Sequence, residues 1–174
     1  DLVRSRGLGD VYKRQLQEIQ LRLPCAGVEF LSPAEVDAVC AMAVQPAALS
    51  EADAALNAVY ECEACAVLRA RLNAPGVSRV LAVVHSRGPS HYTLLDRSRS
   101  ADGQYQLHYF DSLRQFSASG RSKAQVFADV CGWQLPVPEP ANGRLQIDGW
   151  SCGLWCLQFA EEAVRQERGE AKVV

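Results

Sequence analysis

The 174-residue sequence predicts a single α+β domain in which helices flank a small, mostly antiparallel sheet. Three observations carry that prediction. Apolar residues recur every three or four positions before residue 72, three β-like runs lie between residues 80 and 111, and helical spacing returns after residue 153. The chain is long enough for one domain with a real core and too short for two comfortable ones.

Taken in order, DLVRSRGLGDVYKRQ (residues 1–15) is basic, contains glycine and has no period. We set it apart as a disordered or non-native tail, which leaves residues 16–174 as the domain. LSPAEV starts the first helix, expected over Pro33–Val44. Ser32 caps it, Pro33 fits the first helical position, Glu35 completes a capping box and Leu31 can pack on Val36. A second helix is expected from Glu51, capped by Ser50, to Leu72, where NAPG stops it.

The runs VLAVV (80–84), HYTLLD (91–96) and QYQLHYFD (104–111) read as strands. The polar RSRSADG between the last two reads as a hairpin loop ending in Asp102-Gly103. Helical spacing at Ala124, Phe127, Val130 and Cys131 marks a helix over 121–131. WQLPV adds a candidate edge strand and PEPANG a loop. From Gly153 to about Arg168 an amphipathic helix presents Leu154, Trp155, Phe159, Ala163 and Val164 inward and ends at Gly169.

Bulk properties exclude more than they assign. A formal charge of −2 with 22% charged and 48% hydrophobic residues is that of an ordinary globular protein. It offers no basic footprint for nucleic acid, and no apolar run reaches the roughly 18–20 residues that span a bilayer. The seven cysteines are odd in number and follow no secretory leader. Reduced thiols in the nucleus or cytoplasm are therefore expected. Cys62 and Cys65 form C-x-x-C, but they fall on the apolar stripe of the second helix and no second ligand pair completes a metal set. They are expected to be core thiols, and no metal or cofactor is expected.

QIDGWSCGLWC (146–156) sets two nucleophiles side by side. Gly149, Ser151 and Gly153 match G-x-S-x-G, but the hydrolase elbow needs an acid and then a histidine downstream, and after Ser151 there is no histidine or aspartate. Cys152 has the stronger physical case. With Ser151 as cap it is the first helical residue, where unpaired N–H groups and the helix dipole favour a thiolate. The same N–H groups, with the Gln146 amide, could hold an oxyanion. His85, His91 and His108 all precede it. His85 ends an apolar strand and remains an alternative base, whereas His108 reads as an exposed strand residue. Cys156, one turn on, reads as core.

HYTLL, YFDSL and QIDGWSCGLWC resemble the histidine, aspartate and glutamine-to-cysteine blocks of the SUMO-deconjugating ubiquitin-like-protein proteases, of the adenovirus-protease clan. Those blocks read approximately H-W-x-L, D-S-L and Q-x-N-G-x-D-C-G, and FLSPAEVDAV resembles the family's early W-L-N-D helix start. The resemblance spans about residues 28–166. It implies a papain-like cysteine peptidase, expected to be a monomer, that acts after Gly-Gly of a ubiquitin-like modifier such as SUMO. His91 would be the base, Asp111 its orienting acid, Gln146 the oxyanion donor and Cys152 the nucleophile. Phe30, Tyr92 and Trp150 would contact the substrate tail. Tyr92 and Phe30 stand where the family has tryptophan, and Ser151 where it has aspartate. Two other readings are a catalytically weak or inactive module that binds a ubiquitin-like protein, and a same-clan acetyltransferase, for which the chain lacks a basic or glycine-rich phosphate cradle.

Overall fold

A computed structural model describes residues 25–43, 63–86, 91–112, 118–135 and 151–170. The expectations for residues 1–15, for the Ser50 cap and first half of the second helix, for Cys62 and for the loop at 138–143 lie outside them. The described elements are β1 (Val28–Leu31), α1 (Pro33–Ala43), α2 (Glu63–Leu72), β2 (Arg79–Ser86), β3 (His91–Arg99), β4 (Tyr105–Phe110), α3 (Ala118–Cys131) and α4 (Cys152–Glu167). The architecture is α+β, as expected. Among the described residues the sheet order is β1-β2-β3-β4, with β1 parallel to β2 and the other pairs antiparallel.

Strands β2 and β3 are buried on both faces, which explains why VLAVV is a continuous apolar run rather than an alternating one. Val80, Ala82 and Val84 point towards α1, α2 and α3, where Leu31, Val36, Leu72, Leu95 and Phe127 complete one core. Leu81 and Val83 point the other way and pack with Leu94 against Leu157, Ala160 and Val164 of α4. Cys40, Cys65 and Cys131 are buried thiols on the first side. The period of two thus divides β2 between two cores.

Local rules account for several boundaries. The Ser32 amide donates to Glu35 Oε2 at 2.8 Å and the Glu35 amide to Ser32 Oγ at 3.4 Å, forming the expected capping box. Leu31 and Val36 are both fully buried beside it. Helix α3 ends in a Schellman motif: the Trp133 amide donates to the Ala128 carbonyl and the Gly132 amide to Asp129, with Gly132 at φ +72°. Helix α4 ends the same way at Gly169, the residue expected to stop it.

Three expectations need correction. Strand β1 was not foreseen. It has four residues and pairs in parallel with a strand fifty positions away, so no local alternation marks it. Gly27 starts it at φ +83°, where an added Cβ would lie 2.7 Å from Ser78 Oγ. Strand β3 runs on to Arg99, into residues that read as loop, because Arg97, Ser98 and Arg99 pair with Leu107, Gln106 and Tyr105. Finally, Trp133–Leu135 is not a strand among the described residues. Trp133 and Leu135 instead bury their side chains in the first core.

Candidate active site

Helix α4 places the candidate nucleophile. Its buried positions, Cys152, Gly153, Cys156, Leu157, Ala160, Ala163 and Val164, recur every three or four residues and form one face. Most are small, so the helix can lie close on the sheet. Its first residue, Cys152, shares a core with Tyr92 and Leu94 of β3. The far end is held by Arg79, whose guanidinium donates to the Ala163 carbonyl, pairs with Asp96 at 2.9 Å and reaches Glu167 at 3.5 Å. Arg79 and Asp96 are 7% and 3% exposed. Sequence reasoning passed over this pair. Its signal was two charged residues adjoining runs that are otherwise apolar.

Sheet register brings the other two groups together. Leu94 faces Phe110 across β3 and β4, and one further step sets Asp111 beside Thr93, two positions from His91 on the same strand face. The result is a hydrogen bond of 2.7 Å between His91 Nε2 and Asp111 Oδ1. The Cys152 side chain lies within hydrogen-bonding reach of the same imidazole. With Nε2 engaged by Asp111, the second ring nitrogen is the one left to face the sulfur. Residues 91, 111 and 152 thus meet at one end of the sheet, at the N-terminus of a helix.

The electrostatics follow from that meeting. Burial by itself would push the His91 imidazole down, but hydrogen bonds to Asp111 and Cys152 and the charges of both outweigh it and raise the pKa to about 9. Cys156, one turn further on, is driven well up by burial, with the charges of Cys152 and Asp111 adding to the effect. Burial also raises Cys40, and carries Cys131 to about 12. These three thiols stay protonated at neutral pH and are inert as nucleophiles. The arrangement can transfer a proton between sulfur and imidazole while the carboxylate fixes the ring.

Ser151 occupies the N-cap position at φ −83°, ψ 5°, and its carbonyl accepts the Trp155 amide, but its side chain makes no capping bond. The expected cap is therefore positional only. Tyr92 is 9% exposed and stacks on His85 at 4.4 Å between ring centroids. Phe30, half-buried on β1, packs against the same core as Cys152. His108 is exposed on β4, as expected. Gln146 and Trp150 lie outside the described residues.

No family model matches the chain, and no curated protein does. Solved structures do. The Xanthomonas campestris effector protein XopD bound to ubiquitin aligns with a TM-score of 0.59 at 19% identity, over 92% of this chain and 76% of that one. A mutant of Xanthomonas XopD aligns with a TM-score of 0.56 at 16% identity, over 91% and 80%. At these identities the likeness is one of fold, and it takes in nearly the whole of this chain.

Proposed function

We propose that the protein is a cysteine protease that cleaves after Gly-Gly of a ubiquitin-like modifier, SUMO or a related protein, as a deconjugating isopeptidase or a precursor-processing enzyme. One observation carries the reading: a buried imidazole bonded to Asp111 at 2.7 Å has Cys152, at a helix N-terminus, within reach of the same ring. His91, its pKa raised by Asp111 and Cys152, can hold the proton that Cys152 gives up. The Cys152 thiolate attacks the carbonyl after glycine, and the Cys152 amide with the Gln146 side chain holds the oxyanion. His91 then protonates the leaving amine, and water, deprotonated by His91, releases the acyl-enzyme. That XopD, which shares the fold, has been captured with ubiquitin supports a ubiquitin-like partner.

The test is a panel of ubiquitin-like proteins ending in a C-terminal electrophile. Covalent capture of wild type by at least one member, lost in Cys152→Ala, is the expected result. Tight but non-covalent binding by an active-site-intact protein would replace the protease with a binding module.

A further inference from the structure

A cavity lies at the end of β3 away from His91. Arg97 is six residues from His91 along the strand, roughly 20 Å at about 3.3 Å per residue. The cavity has a volume of 460 Å³ and is lined by Arg97, Tyr105, Leu107, Trp133 and Leu135, with Gln134 exposed beside them. That volume falls within the range of small-molecule sites. Among the described residues no acidic side chain lines it.

Two of its polar groups are unusual for a protein interior. Arg97 is 7% exposed, and its guanidinium lies 3.5 Å from the Tyr105 ring centroid and 5.1 Å from that of Trp133. It donates Nη1 to the Leu72 carbonyl at 3.2 Å and is hydrogen-bonded to Tyr105, yet among the described residues no carboxylate pairs with it. Buried charges are ordinarily paired, and stacking on aromatic rings compensates in part. Trp133 is 8% exposed, and among the described residues its indole N–H has no acceptor. Buried indole N–H groups normally find one. Among the described residues, a buried cation with no carboxylate beside it and a buried donor without an acceptor thus line the same cavity, to which Leu107 and Leu135 add apolar surface.

We propose that this cavity binds a small organic carboxylate, its anionic head between the Arg97 guanidinium and the Trp133 indole N–H and its apolar body along Leu107 and Leu135. One guanidinium matches one negative charge. A phosphate dianion would call for further cations, and among the described residues none lines the cavity. The inference is independent of the protease reading, because it uses none of the residues at the His91 end.

The experiment is a ¹H–¹⁵N NMR titration of the full chain with 3-phenylpropionate and, in parallel, with the neutral 3-phenylpropionamide. The sequence has three tryptophans, so Trp133→Phe identifies the Trp133 indole resonance. The acid is expected to shift that resonance saturably, and the amide to bind about tenfold more weakly or worse. Arg97→Met should abolish the shift, but it also removes buried packing. Gln134→Glu supplies the second variant, since it adds a negative charge at an exposed position and should weaken the acid while sparing the amide. Equal binding of acid and amide, or no movement of the indole resonance up to about 20 mM acid, would overturn the proposal.

Discussion

His91 Nε2 lies 2.7 Å from Asp111 Oδ1, and both side chains are 3% exposed. A carboxylate held so close to a buried imidazole does two things: it selects the ring orientation, and it holds the proton on the ring up to about pH 9. Because His91 titrates higher in the folded protein than at its ordinary 6.5, its contribution to stability is fully present below pH 6.5 and is lost as pH rises through about 9. Under the proposed mechanism the same proton is needed by the leaving amine, so kcat/KM should fall on the alkaline side with a midpoint near that value. Asp111→Asn should move the limb to lower pH and reduce kcat by on the order of 10² to 10⁴. An unchanged His91 titration in that variant, followed by NMR, would separate Asp111 from the site.

The three thiol and hydroxyl neighbours should behave differently. Cys152→Ala should abolish turnover and probe capture. Ser151→Ala should keep most activity and cost well under the ~1 kcal/mol of a working cap, because the Ser151 side chain makes no capping bond. Cys156→Ala should also stay active, since its thiol is buried and raised far from reactivity. Equal loss in Ser151→Ala and Cys152→Ala would revive the serine reading.

Gln146 tests the oxyanion assignment separately from the nucleophile. An interaction made chiefly in the transition state affects kcat rather than KM. Gln146→Ala should therefore lower kcat on the order of 10²- to 10³-fold with KM nearly unchanged. Normal kcat in this variant would leave the Cys152 amide as the sole donor.

The parts of this protein that were legible in its sequence are those governed by local chemistry. Ser32 and Glu35 mark the start of α1, and Gly169 the end of α4. Strand β1 was hidden because its pairing partner is fifty residues away. The end of β3 was hidden because Arg97, Ser98 and Arg99 have the composition of a loop, and tertiary pairing overrides composition. The Ser151 side chain was misjudged for a related reason: residue type favours a cap, but the backbone angles and neighbours decide whether one forms. The geometry joining His91 to Asp111 depends on the register between β3 and β4, which is set by pairing along both strands and not by the residue type at either position.

The Arg79–Asp96 pair offers a stability test of how α4 is held. Removing one partner leaves a buried charge, so Asp96→Ala should destabilise by about 3–5 kcal/mol, measured by urea unfolding. Replacing both partners with apolar residues of similar size, Arg79→Met with Asp96→Leu, should recover most of that loss. A double variant as unstable as Asp96→Ala would show that the Arg79 bond to the Ala163 carbonyl, rather than the ion pair, anchors the helix.

Tyr92 follows His91 on β3 and stacks on His85 with ring centroids 4.4 Å apart. It belongs to the same buried cluster as Cys152. In the proposed enzyme a ring at this position excludes substrate residues that carry a β-carbon, and a tyrosine does so less fully than a tryptophan. Wild type should therefore cleave Gly-Gly tails and discriminate only modestly against Gly-Ala. Tyr92→Trp should sharpen that preference by about 1–3 kcal/mol in ΔΔG‡. It should also lose about 1–3 kcal/mol of stability, because the larger ring overpacks a site that is 9% exposed. The measurement is kcat/KM on matched ubiquitin-like tails ending in Gly-Gly and Gly-Ala, with unfolding curves for both proteins. Lost stability without any change in selectivity would make Tyr92 a packing residue, and the choice between His91 and His85 as base would then rest on the His91 titration in Asp111→Asn alone.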